Sequence, residues 1–406
     1  MQPPSSFLSA PWKKIQFFIF VMTLASGSAL VFFLYQRSLL STMDKEHSPR
    51  NPDPVFNISM RHKAFENYLT NIVEVPKYIV NVSSIQWNTT DLESKLVFSV
   101  SSECPLCNNH YKHPKSNSNS RDLVLTCMLG YTRNALTWIR SLRSTGCKAA
   151  VVVFLDSKAR QVMTPSEKII FEKCGMILID IGDFLPPYNQ HVFEARHIFF
   201  FAFLRRFQHL YDRILLLDLA DSFIQYDPFT DEITNTTFQT TTEIVTFETC
   251  PVNTKWVVDC DPEYDASFYA KKVPLNLGFI FGSIGGFMYY YDFIYRQKDW
   301  AEFDIHTIDQ GYQNYYYYRG LFANHGLHLT ATLPGDTLVS VRGGRVRMEP
   351  NSDGLWVLEG TNRPSAVYHQ YNRICPLWKG VQEVCPPIGE KEQSFALLKE
   401  ISHPCE

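Results

Sequence analysis

From Asp122 onward the chain alternates short, almost wholly apolar runs with longer stretches of helical periodicity, and this alternation restricts the fold more than any other feature. Leu123–Met128 (LVLTCM), Ala149–Leu155 (AAVVVFL), Met176–Ile181 and Arg213–Leu217 read as strands. Strands apolar on both faces belong in a parallel sheet covered on both sides. Between the first two, Ala135, Ile139 and Leu142 fall at i, i+4 and i+7 with Arg140 and Arg143 interleaved, the pattern of an amphipathic helix. Ser166–Cys174 and the aromatic stretch Phe193–Phe207 read as two more helices. The order predicts an α/β fold, a mostly parallel central sheet flanked by helices. Such sheets bind ligands beyond the carboxyl ends of their strands, so the turn Leu129–Arg133 and the acids after Leu217 are expected to converge.

The N-terminal part is different. Ile15–Leu34 is free of charge and long enough to cross a bilayer. Lys13 and Lys14 precede it and Arg37, Lys45 and Arg50 follow, so charge balance alone does not orient it. Four sequons, at Asn57, Asn81, Asn88 and Asn235, and all ten cysteines lie after the span, which points to an oxidising, glycosylating lumen. The small residues Ala25–Ala29 would suit signal cleavage, but the apolar run continues through Leu34, which favours a signal anchor. The expected organisation is a cytosolic tail (1–14), a transmembrane anchor (15–34), a lumenal stem and accessory region (35–120) and a catalytic domain (121–406). Within the stem, Ile72–Val75 and Tyr78–Val82 read as short strands and the polar run Asn108–Arg121 as a linker or exposed loop. With 38 basic against 41 acidic residues, a net charge of -3 and only short Lys/Arg runs, a nucleic-acid partner is not expected.

Chemistry concentrates in Arg213–Phe229 (RILLLDLADSFIQYDPF), where a buried strand delivers Asp218 and Asp221 at its end. Paired carboxylates there suit a hard divalent cation, although strand-end Asp residues also cap turns. Downstream, Leu275–Ser283 is a short strand carrying Asn276 and Gly278. Asp309-Gln310 opens an aromatic helix at Tyr312–Tyr318, and His369 follows the apolar Ala366-Val367-Tyr368. The aromatic excess in Phe199–Phe203 and Tyr289–Tyr291 reads as core rather than as a sugar platform, while Tyr315–Tyr318 retains a stacking role if exposed.

The order of strand acids, Asn-x-Gly strand, Asp-Gln helix and late His resembles that of GT-A-fold glycosyltransferases, a Rossmann-related, nucleotide-sugar-dependent group, over about Asp122 to Arg373. The resemblance implies a divalent ion, Mn²⁺ or Mg²⁺, held by Asp218, Asp221 and His369 against a UDP- or GDP-linked donor, and an N/O₂ donor set suits Mn²⁺ better. It implies that Asn276, Gly278 and Gln310 line the sugar and acceptor pocket, with Tyr131, Arg133 and Arg196 toward the nucleotide or diphosphate, Arg196 alternatively bracing Asp218. Asp309 is the expected catalytic acid, a general base in an inverting enzyme or a sugar-positioning group in a retaining one; its bland alternative is a helix N-cap. The family spaces its acids by one residue, whereas Leu219 and Ala220 separate them here, so either both meet the metal or only one does. The implied protein is a single-pass type II glycosyltransferase of the Golgi or another secretory membrane, with a glycan, protein or lipid acceptor. The alternative is a lectin-like or receptor protein with a degenerate transferase fold. A hydrolase lacks support, since neither Gly-x-Ser-x-Gly nor His-Glu-x-x-His is present.

Cys104-Pro105-Leu106-Cys107 has metal or redox spacing, but no second pair follows at zinc-finger distance, so structural disulfides are the default. Cys250 with Cys260 and Cys375 with Cys385 are plausible local pairs, while the full connectivity stays open.

Overall fold

The computed structural model describes residues 80–81, 96–109, 111–184, 192–230, 238–296, 309–332, 338–340, 347–360 and 363–389. The predicted anchor Ile15–Leu34, the strand Ile72–Val75 and the sequons at Asn57, Asn88 and Asn235 lie outside these residues. Among the described residues no helix is long and apolar enough to cross a membrane.

The described elements run β1 (Val80–Asn81), β2 (Asp122–Met128), α1 (Ala135–Ser144), β3 (Ala150–Asp156), α2 (Ser157–Val162), α3 (Pro165–Lys173), β4 (Met176–Phe184), α4 (Val192–Phe207), β5 (Arg213–Leu217), β6 (Ser222–Ile224) and β7 (Phe238–Thr241). They continue with α5 (Pro251–Cys260), β8 (Phe279–Ser283), α6 (Ile284–Arg296), α7 (Asp309–Tyr318), β9 (Thr330–Thr332), β10 (Leu338–Ser340), β11 (Met348–Pro350), β12 (Trp356–Leu358), β13 (Val367–His369) and α8 (Cys375–Val384). The main sheet has the order β1-β4-β3-β2-β5-β8-β7-β9. Its centre, β4-β3-β2-β5, is parallel, and β8 runs antiparallel to both β5 and β7. The α/β architecture with a mostly parallel centre is therefore the one the alternation predicts.

The period of two along each central strand divides the core into halves. Leu123, Leu125, Val152, Phe154, Ile214 and Leu216 pack on one face with Phe199, Phe200 and Phe203 of α4. Their neighbours Val124, Val151, Val153, Leu215 and Leu217 pack on the other with Trp138, Ile139 and Leu142 of α1 and Phe171 of α3. Phe199–Phe203, Tyr290 and Tyr291 are core, as their density of aromatics suggests, while Tyr289 stays exposed. Local signals set the helix starts. Asp156 caps α2 by accepting from the Ala159 N–H, and Thr164 and Glu167 form a capping box ahead of Pro165 in α3.

One expectation is borne out and one changes. Among its described residues the run 108–121 is largely an exposed loop, pinned to the body at a few points: Asn109 and Ser118 are buried, and the Asn117 N–H donates to the Phe229 carbonyl at 2.9 Å. The Ser118 hydroxyl donates to the Asp227 carboxylate and accepts from the Lys148 N–H at 2.8 Å. The cysteines instead pair over long range, Cys104 with Cys174 and Cys107 with Cys385. Cys375 is disulfide-bonded and the Cys250 thiol is free, so neither local pair forms. Each proposed pair brackets a ten-residue helix, α5 or α8. At 1.5 Å rise per residue this holds the two cysteines about 15 Å apart, more than twice what a disulfide spans.

The Cys107–Cys385 bridge closes a sequence separation of 278 residues. The double variant Cys107→Ser/Cys385→Ser should lose about 2–5 kcal/mol of stability. Chemical denaturation of the two proteins under oxidising conditions measures the loss.

Candidate metal centre

β5 is the last parallel strand of the sheet centre, and beyond Leu217 the chain leaves that sheet. Ser222 begins β6, which joins a second sheet of order β10-β13-β6. Asp218 and Asp221 occupy the crossing between the two sheets. In the antiparallel pairing of β6 with β13, His369 lies directly opposite Ser222, next to Asp221. One ligand atom from each of Asp218, Asp221 and His369 falls within 4.8 Å of the others. Thus the late histidine reaches the acids through strand pairing rather than sequence proximity.

The crossing is held from several sides. The Asp218 N–H donates to the Gly278 carbonyl at 2.6 Å, and the Ser222 hydroxyl donates to the Asp218 carbonyl at 2.5 Å. The Asn134 carboxamide donates to the Ala220 carbonyl at 2.6 Å, from a left-handed backbone with φ of 60°. The Gln370 N–H, also left-handed at φ 62°, donates to the Asp221 carbonyl at 2.6 Å. The two intervening residues, Leu219 and Ala220, are buried, and the longer spacing still leaves both carboxylates beside the imidazole. Gly278 is needed for a different reason: a Cβ there would collide with the His369 ring, which lies against its backbone.

His369 is 2% exposed, and neither ring nitrogen makes a hydrogen bond. Its Nε2 stands 3.3 Å from Asp221 Oδ1 and 3.7 Å from Asp218 Oδ2. Burial opposes protonation, but the charges of Asp221 and Asp218 outweigh it and raise the imidazole to about 9. Burial also opposes ionisation of Asp218, yet the Arg196 guanidinium and His369 hold its carboxyl at about 2. The Asp218 and Asp221 side chains are 30% and 22% exposed, so an ion can reach the oxygens from solvent while the imidazole closes the site behind. A buried imidazole with orphaned nitrogens beside two carboxylates fits a divalent cation.

Behind the acids, Arg196 of α4 donates from Nη1 to Asp218 and from Nη2 to Asp309 Oδ2 at 3.0 Å. His197 Nε2 lies 3.1 Å from the same Asp309 oxygen, and its Nδ1 lies 3.1 Å from the Tyr291 hydroxyl. Burial lowers the His197 pKa. A neutral ring must then donate from Nε2 to the acceptor-only carboxylate and accept from Tyr291 at Nδ1. Asp309 also accepts the Gln310 N–H at 2.8 Å and is 4% exposed. Glu194, one turn earlier, is pushed to about 8 by burial and by the Asp309 charge.

The remaining expected residues divide. Tyr131 and Arg133 are exposed at the turn after β2, the guanidinium 6.0 Å from the ring centroid, and Tyr131 lies within electrostatic reach of Asp218 and Asp221. Asn276 and Gln310 instead point into the protein. Both donate to Glu243 Oε1, at 3.1 and 3.0 Å, and Gln310 also donates to Asn253 at 2.8 Å. Their acceptor oxygens take the Gly278 and Leu277 N–H groups at 2.8 and 3.1 Å. They shape the loop that carries Gly278. Glu243, Asn253, Asn134 and His197 escaped the sequence reading: none stands in a spacing that marks a partner, and only His197's adjacency to Arg196 offered a signal.

No protein-family model matches the chain, and no curated protein matches it.

Two outcomes follow from this geometry. Gly278→Ala should displace the His369 ring and, in a site that takes a divalent cation such as Mn²⁺, weaken its binding by about ten-fold or more; calorimetric titration reads it. In the metal-free protein the His369 ion pairs stabilise the fold fully below the ordinary imidazole value of 6.5, and that stabilisation fades as pH rises through about 9. Accordingly His369→Gln should show a shallower decline in denaturation midpoint across that window than the wild type.

Proposed function

We propose that the chain is a metal-dependent glycosyltransferase of GT-A type, transferring a sugar from a UDP- or GDP-linked donor to a glycan, protein or lipid hydroxyl. The observation that carries the reading is the Asp218–Asp221–His369 cluster at the carboxyl end of β5, where an α/β sheet presents its ligands. Asp218, Asp221 and His369 would hold Mn²⁺ or Mg²⁺. Such an ion, when bound, neutralises negative charge building on a diphosphate leaving group.

The protein's own groups have separable tasks in this reading. Arg196 keeps Asp218 ionised and fixes its orientation, so the carboxylate is ready for the ion without rearrangement. The exposure of Tyr131 and Arg133 on the neighbouring turn supports a contact of theirs with the base or a phosphate of the donor. Asp309 accepts from Arg196, the Gln310 N–H and His197 while almost fully buried. That saturation supports a positioning role over proton abstraction, and with it the retaining alternative, in which no protein base is needed. The sequence-level features, an anchor at Ile15–Leu34 and sequons beyond it, support a Golgi or other secretory membrane with the enzyme domain in the lumen.

The test is thermal unfolding against UDP, GDP and CDP, with Mn²⁺, with Mg²⁺ and with chelator. One nucleotide should raise the melting temperature only when metal is present, by an amount equivalent to about 2.7 kcal/mol at one hundred times its dissociation constant. Asp218→Asn should abolish that rise in a protein that remains folded. Absence of any metal-dependent rise in well-folded wild-type protein overturns the reading and directs the search to a lectin-like binding role.

A further inference from the structure

A second concave site stands apart from the metal centre. Asn108, Asn109, Tyr111, β6, the turn leading into β12, and α8 enclose a cavity of about 290 Å³. Phe223 lines it, directly opposite Tyr368 in the β6–β13 pairing, whereas the next pair, Ser222 and His369, belongs to the metal centre. Successive strand residues face opposite sides, so the cavity and the imidazole occupy opposite faces of the small sheet.

The walls are locked before any ligand arrives. The Cys107–Cys385 disulfide joins the start of the loop 108–121 to the end of α8, and the Asn108 N–H donates to the Val384 carbonyl at 2.7 Å. The Gln225 carboxamide accepts from the Trp356 N–H at 2.6 Å and donates to the Trp356 and Ser365 carbonyls at 3.1 and 3.2 Å. The Trp356 indole lies against α8 at Gly380, where any Cβ would strike the ring. A half-buried aromatic face is thus held rigid, which lowers the ordering cost of binding.

The rim chemistry selects the ligand. Among the described residues, the side-chain polar groups of Asn108, Tyr111, Asp353 and Trp356 make no hydrogen bond or ion pair with other side chains or backbone, although all four line the cavity. They offer donors and acceptors in mixed order around aromatic rings. Among the described residues, Asp353 is the one charge in the lining and no lysine or arginine accompanies it, which disfavours phosphates and carboxylates. A fixed indole beside uncommitted amide, hydroxyl and carboxylate groups matches a neutral polyhydroxylated ring, with C–H groups on the aromatic face and hydroxyls on the rim. We infer that this cavity is a saccharide-binding site, separate from the metal centre and sized for one or two sugar rings. It rests on the cavity alone and stands whether or not the metal centre transfers sugar.

The experiment is saturation-transfer difference NMR on the full-length chain in the presence of chelator. Glucose, galactose, mannose, N-acetylglucosamine, lactose and maltose are the probes, with UDP and tetramethylammonium as contrasts. At least one saccharide should receive transfer on its ring C–H protons. Asp353→Ala, an exposed position, and Trp356→Ala, checked for folding by near-UV circular dichroism, should each weaken that binding by about ten-fold. Asp218→Asn should leave it unchanged. The inference fails if no saccharide receives transfer, if transfer survives Asp353→Ala undiminished, if it disappears in Asp218→Asn or in chelator, or if tetramethylammonium displaces the sugar as the preferred ligand.

Discussion

Arg196 is a buried guanidinium shared between two carboxylates that come from distant parts of the chain, and the geometry of the metal centre depends on it. One carboxylate, Asp218, ends the central strand; the other, Asp309, opens the aromatic helix α7. A guanidinium taken out of water is tolerated only when its charge is matched, and here two acids match it and take one hydrogen bond each from Nη1 and Nη2. The consequence runs in both directions. Asp218 remains ionised far below neutrality because of the adjacent cation, and Asp309 remains oriented because Arg196 and His197 occupy the same oxygen. Removing the cation would leave Asp218 and Asp309 without their shared guanidinium, with the buried Asp309 near a Glu194 already driven toward its protonated form.

The acid crossing is best understood as a short loop whose Asp218, Ala220 and Asp221 carbonyls are all claimed. Gly278, Asn134, Ser222 and Gln370 come from four separate elements and engage Asp218, Ala220 and Asp221. A loop so engaged can accommodate two intervening residues without swinging either carboxylate away from the imidazole. The amide network around Glu243 plays the corresponding part on the other side, holding Asn276 and Gln310 so that the Gly278 backbone can lie against His369. Residues that resemble ligand-contacting positions in sequence thus serve here as the frame for a glycine.

The strands and helices of the main sheet were legible from periodicity because burial on both faces leaves an unbroken apolar run, and β5 matches its expected bounds, Arg213–Leu217. Asp218, Asp221 and His369 were legible as candidates because residue type and order carry information about chemistry. Other features were not legible. Within the polar loop 108–121, the burial of Asn109 and Ser118, which bond to Gln225 and Asp227, has no signal in composition. The cysteine pairs follow spatial proximity between segments 70 and 278 residues apart, which spacing along the chain does not encode.

By itself, the sequence determined the alternation of strands and helices, the placement of acids at a strand end and the supply of a histidine for them. These are local properties: side-chain size, polarity and period act within a few residues. Only the tertiary structure decided that β6 leaves the main sheet to pair with β13, setting His369 opposite Ser222 beside the acids, and that Arg196 bridges Asp218 to Asp309. Those arrangements arise from strand register and from pairing of buried charges. Both depend on which distant segments meet, and only the folded chain brings them together.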